Sequence, residues 1–287
     1  MRGRAEHSET SARPRRSLSG PMGTLAKRLQ QIASRSLETE SSNILKGGSA
    51  NKRGLARALD TTLKSSHNMK VFGLGTAASM ASPERYMRFT ASMHAIYAAM
   101  ESSFDASPSP AVAAVWDRFG PELRREPSLA ADLEEACSLA ALPRPTPSPA
   151  TRAYVEAVEA ASRADAADDG GRLVGHLYTR YFADLFGGQA LAGPYRWALG
   201  LGSASPRHYD FGEFGAKRRD SIEAIYAAIN EAGELLARDE RREAVVVEAR
   251  DAFAHNVAVY REEGRLLTDG TVGIAKMAIG FGRSRWL

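Results

Sequence analysis

From about Gly54 to Glu263 the apolar residues of this chain recur at three- and four-residue spacing almost without interruption. That period belongs to the α-helix, and the stretch contains none of the alternation that a half-buried strand needs. Leu55, Leu59 and Leu63 step by four. Further amphipathic runs cover Arg85–Ser102, Pro121–Leu142, Pro149–Ala164, Leu173–Gln189, Ala216–Ala237 and Arg241–Glu263. Clusters of proline, glycine, serine and aspartate separate them at Ala106–Pro110, Pro143–Pro149, Asp168–Gly171 and Gly200–Pro206. The pattern predicts one all-α domain of seven or eight helices over residues 49–265, without internal repeats. Gly73-Leu74-Gly75 follows no strand and carries no nucleotide-binding meaning.

Charge is unevenly spread. Residues 1–45 hold eight basic and four acidic side chains, which leaves thirty of each for the remainder of the 287-residue chain. A neutral body argues against a nucleic-acid-binding domain, whose basic excess sits on the folded part. The leader, residues 1–48, reads as a disordered basic segment, either an organelle transit peptide, for plastid or mitochondrion, or a tail with no address on a cytoplasmic protein. Cys137 is the single cysteine, so neither an internal disulfide nor a cysteine-based zinc site is available. No apolar run reaches the roughly 18–20 residues of a membrane helix. The tail, residues 266–287, includes the apolar Thr271–Gly282, for which packing on the body is expected over resting on a membrane surface.

Three stripes carry polar groups on otherwise apolar faces. His67 takes the next step of four after Leu55, Leu59 and Leu63, so it points where they point. From spacing alone that position suits a core histidine first, and an imidazole ligand to haem iron second. In His176–Gln189 (HLYTRYFADLFGGQ), Arg180 and Asp184 are spaced i,i+4, and Tyr181 and Asp184 i,i+3. Gly187 and Gly188 then follow inside the helical run, at a cost of roughly 1 kcal/mol each against alanine. Paired glycines fit a backbone that bends and lets something flat lie against it. In the third stripe, Phe253, Asn256 and Tyr260 combine two aromatics with one amide, as core packing or as a pocket wall.

In order along the chain, LARALDTTLKSSH ending in His67, SMHAIYAAME (Ser92–Glu101), ELRREPSLAADL (Glu122–Leu133), PATRAYVEAV (Pro149–Val158), LVGHLYTRYFADLFGGQ (Leu173–Gln189) and ARDAFAHNVAVYREE (Ala249–Glu263) resemble the haem oxygenase family. The resemblance implies that haem is both substrate and cofactor, cleaved with O2 and external electrons to biliverdin, carbon monoxide and iron. It implies His67 as the proximal iron ligand. Asp184 holds distal water and forms the proton-delivering network with Tyr97, Tyr178 and Arg180. Gly187 lets the distal helix approach the haem face. Lys64 and Tyr178 seat the propionates, with Lys217, Arg218 and Arg219 near a second anchor. Phe253, Asn256 and Tyr260 line the pocket. The implied partners are haem, O2 and an electron donor such as ferredoxin or a reductase, acting on a monomer with no membrane span.

The chain departs from the family pattern at four residues, and its segment between His67 and Tyr97 is about three residues short. Ala183 and Phe186 stand where the family has glycine and a small residue. Val71 stands where a carboxylate supports the proximal histidine, and Asp60 where a lysine helps with propionates. These departures keep open a second reading, a non-catalytic haem-binding or haem-sensing protein of the same fold.

Overall fold

The computed structural model describes residues 49–66 and 69–284. Among the described residues there are no strands. The helices are α1 (Gly54–Ser66), α2 (Met69–Ser79), α3 (Pro83–Asp105), α4 (Pro110–Leu123), α5 (Glu126–Ala140), α6 (Pro149–Asp168), α7 (Arg172–Ala183), α8 (Gln189–Leu199), the short α9 (Gly212–Ala216), α10 (Arg218–Leu235), α11 (Asp239–Glu262) and α12 (Leu266–Ser284). A π-helical turn, Asp184–Gly188, joins α7 to α8 without a break. The number exceeds the seven or eight expected. Helices α2 and α9 are short and were not separable by period, and the apolar tail contributes α12.

Serine followed by proline starts three of these helices. Ser82, Ser109 and Ser148 each sit at an N-cap with extended backbone, and Pro83, Pro110 and Pro149 follow. Their hydroxyls accept from the N–H groups of Arg85, Val112 and Thr151 at 3.3, 3.4 and 3.2 Å. Proline loses nothing at the first helical position, where its missing N–H has no intrahelical partner. Helix α7 has no local cap. The buried Asp165 of α6 reaches across the Asp169–Gly171 turn instead and accepts from the N–H groups of Arg172 and Leu173 at 2.9 and 3.0 Å.

Two apolar cores result. The larger joins α1, α3, α4, α6, α7, α10 and α11, with Leu55, Leu59, Ile96, Tyr97, Leu177, Tyr181, Ile225 and Ala249 among its buried residues. Leu55 and Leu59 are buried and Leu63 packs beside them, so the stripe faces inward as its spacing predicts. Gly175 brings α7 onto α11, for a Cβ there would lie 2.6 Å from the Val245 carbonyl oxygen. The smaller core joins Ala77 and Met80 at the end of α2 to Tyr86, Leu133, Tyr195, Leu199, Tyr209, Ile274 and Met277. Helix α12 therefore packs on α2 and α8. None of the described helices is long and apolar enough to cross a membrane.

Candidate active site

Asp184 opens the π turn and is buried. The Tyr97 hydroxyl, brought across from α3, donates to Asp184 Oδ2 in a short hydrogen bond. Asp184 Oδ1 lies 4.0 Å from Arg180 Nη2. The i,i+4 spacing predicts a direct ion pair, and the structure loosens it. The backbone widens from α-helical to π-helical at Asp184 itself, and Tyr97 takes the carboxylate. Tyr181, expected beside Asp184 at i,i+3, turns away. Its hydroxyl donates to Glu101 Oε1 at 3.2 Å, and its ring meets that of Tyr97 edge-on at 5.1 Å.

Arg180 is buried on α7 with its own set of restraints. Its Nη1 donates to Asn256 Oδ1 at 2.7 Å, its Nη2 approaches Met93 Sδ at 3.1 Å, and the guanidinium lies 5.3 Å from the centre of the Tyr97 ring. Asn256 in turn donates to the Ala252 carbonyl at 3.1 Å and to the Tyr154 hydroxyl at 3.4 Å. Asn256 thus braces Arg180 from the stripe that the sequence read as core packing or as a pocket wall. Burial works against the arginine charge, but the neighbouring Tyr97 and Asp184 outweigh it and raise the Arg180 pKa. Burial likewise pushes the Tyr97 phenol well above its ordinary value, so it remains a donor at neutral pH.

The two glycines have different surroundings. A Cβ at Gly188 would lie 2.5 Å from the ring of Tyr209, so this glycine seals the π turn against the protein. Among the described residues, a Cβ at Gly187 would meet nothing within 4 Å. No described side chain therefore covers the Gly187 backbone, which fits a flat ligand resting on the turn. Gly188→Ala is expected to cost about 1–3 kcal/mol through overpacking, read as a lowered melting temperature. Gly187→Ala is expected to raise the melting temperature slightly, since alanine is favoured in a helix by about 1 kcal/mol, and to weaken haemin binding in a spectral titration. Equal melting losses in the two variants would contradict this assignment of the glycines.

The remaining residues divide. Tyr178 is buried, with its ring stacked on Phe182 at 4.5 Å and its hydroxyl beside that of Tyr226. Phe253 and Tyr260 are buried in an aromatic group with Phe72 and Phe89, at centroid distances of 6.4 Å for Phe72–Phe253 and 5.9 Å for Phe89–Tyr260. Lys217 is exposed and Arg218 half-exposed where α10 begins, and neither joins the Asp184 group. Ala183 is half-buried next to Asp184. Asp60 pairs with Lys52 at 2.8 Å. His67 and the side chains of Lys64 and Phe186 lie outside the described residues. His176, another histidine of the distal segment, is fully buried with Nε2 2.9 Å from Glu248 Oε1.

Sequence reasoning missed Glu101, Met93, Tyr154 and Tyr209. Glu101 had a visible signal, since it follows Tyr97 by four and shares its helix face. Burial raises the Glu101 pKa even though the N–H groups of Arg125 and Glu126 donate to it. Met93 carries the same signal, four residues before Tyr97 on α3, whereas Tyr154 comes from α6 and Tyr209 from the segment after α8, where no local pattern marks them.

The protein is an all-α bundle in which one helix passes through a π turn that starts at a buried acid and carries a glycine uncovered among the described residues. Residues 54–262 match the family model described as Heme oxygenase, and the chain belongs to the haem oxygenase family. It is 31% identical over 185 residues to Heme oxygenase 1 of Synechocystis sp., covering 63% of this chain and 72% of that relative. It is likewise 31% identical over 183 residues to Heme oxygenase 1 of Gallus gallus, covering 62% and 58% of the two chains. The fold superposes on the crystal structure of heme oxygenase-1 from Synechocystis in complex with heme, with a TM-score of 0.58 at 27% identity over 75% of this chain and 95% of that one. For heme oxygenase-2 of the same organism, in complex with heme and NO, the TM-score is 0.61 at 25% identity over 73% and 85%. As a family member the chain is an oxygenase whose substrate, haem, is also its cofactor.

Proposed function

We propose that this chain cleaves haem to biliverdin, carbon monoxide and iron at the π turn, with Asp184 as the residue that holds the proton-donating water. The observation that carries the assignment is the buried Asp184–Tyr97–Arg180 group directly preceding a glycine with an open face. Bound haem supplies the iron that activates O2 and the porphyrin edge that is oxidised. His67 would hold the iron, Gly187 would lie against the porphyrin, and Lys64, Tyr178, Lys217 and Arg218 would serve the propionates.

The protein residues then have separable tasks. Tyr97 occupies Asp184 Oδ2, so Oδ1 is the oxygen left to hold water. The 4.0 Å between Oδ1 and Arg180 Nη2 suits a bridging water better than direct contact. A carboxylate acting through water delivers protons more gently than an acid in direct contact. Arg180 faces Asp184 across this gap, and Asn256 keeps Arg180 from swinging toward the ligand. Ala183 adds one methyl beside this group, and it sets the closeness of the distal wall.

Electrons come from outside, and a soluble donor such as ferredoxin fits a monomer whose basic leader carries an organelle address. The deciding experiment mixes the purified protein with haemin and supplies ascorbate, or ferredoxin with its reductase. The expected result is a Soret band followed by a bilin absorbing in the red. A stable haem complex with no bilin would favour the haem-sensing reading, to which Ala183, Phe186 and Val71 point. No Soret shift would remove both.

A further inference from the structure

Helix α12 begins beyond the region that matches the family model, yet its docking is close. A Cβ on Gly273 would lie 1.7 Å from the Ala77 carbonyl oxygen, and one on Gly270 would lie 2.6 Å from Leu74 Cδ2. The backbones of α12 and α2 therefore touch. The Lys276 ammonium donates to the Ala81 carbonyl, just past the end of α2, at 2.9 Å and to the Ala198 carbonyl, in the last turn of α8, at 3.2 Å. One cation thus ties the α2–α3 turn to the last turn of α8, where the helix dipole favours positive charge. The buried Arg85 of α3 closes the near end by pairing with Asp269 at 2.9 Å.

The contacts continue inward. Ile274 and Met277 of α12 join Tyr195 and Tyr209 in the smaller core. The Tyr195 hydroxyl is bonded to Ser79 Oγ on α2, and its ring lies 5.9 Å from that of Tyr209. Tyr209 presses on Gly188. A π turn has poorer hydrogen-bond geometry than an α turn, and this one carries two glycines. Its position is therefore set by what packs against it. We infer that α12 buttresses the distal π turn from outside, with Lys276 as a positioning residue that acts through Tyr195 and Tyr209 on Gly188 and so on Asp184.

The consequence for haem rests on the reading above, whereas the packing consequence is testable without haem. In the full chain, Lys276→Met removes the ammonium and keeps the stem, Lys276→Arg keeps a cation, and Gly273→Ala inserts one methyl against Ala77. Amide hydrogen exchange of the haem-free proteins is the first readout. Lys276→Met and Gly273→Ala are expected to speed exchange across 184–199 by roughly tenfold, with α4 and α10 unchanged and Lys276→Arg close to the unmodified chain. Acceleration confined to α12, with 184–199 still protected, would overturn the buttress. The second readout is transfer of haemin to excess apomyoglobin, expected to be faster in the same two variants. Faster amide exchange with an unchanged transfer rate would overturn the link to the site.

Discussion

Asp184→Ala is expected to keep haemin binding and to lose bilin formation by roughly 100-fold or more, the usual contribution of a positioned proton-transfer group. The substitution removes the acceptor of the Tyr97 hydroxyl and the carboxylate facing Arg180, while Asn256 still holds the guanidinium. The protein is therefore expected to fold, and a melting curve checks this. Asp184→Asn separates charge from shape. It keeps a hydrogen-bond acceptor for Tyr97 but has no charge for Arg180 to balance, and its turnover is expected to fall toward that of the alanine variant. If single-turnover bilin formation in Asp184→Ala matched that of the unmodified chain, the proton-holding role would pass to another group, and Glu101 through Tyr181 would be the next to test.

His67→Ala is expected to show the second large effect, on binding. Outer-shell partners of a metal ligand are worth about 10–100-fold in metal affinity, and losing the ligand itself is expected to cost no less. The haemin spectrum should weaken and shift, and free imidazole should restore it by occupying the space the side chain leaves. An unchanged spectrum would place the ligand elsewhere. His176 is a poor substitute, because its ring is buried and held on Glu248. His208 is no better, with Nδ1 2.8 Å from Asp132 Oδ2 inside the protein.

The helical class was legible because helical period is a local signal, and the helix starts at Ser109 and Ser148 fall within interruptions of the apolar pattern. The group around Asp184 was legible only in outline. Local spacing pointed Arg180 and Tyr181 at Asp184, yet Tyr97 from α3 won the carboxylate and Glu101 won Tyr181. Spacing along one helix cannot report which neighbouring helix supplies a better partner. The glycine pair announced a bend but not its division of labour, since only packing shows that Tyr209 closes on Gly188 and leaves Gly187 open. The tail was read as apolar and packed. Its grip on two helix ends through Lys276 depends on carbonyls far away in the chain and has no sequence signature.

The wide turn at Asp184–Gly188 also acts downstream of itself. An α-helix advances about 100° per residue, and a π turn takes one residue more to come around. Everything after Gly188 is therefore rephased relative to α7, by about one residue's rotation. The face of α8 that carries Tyr195 meets α2 only with that rotation in place. The two glycines thus index the register of the second core as well as shaping the strip of backbone beside the acid.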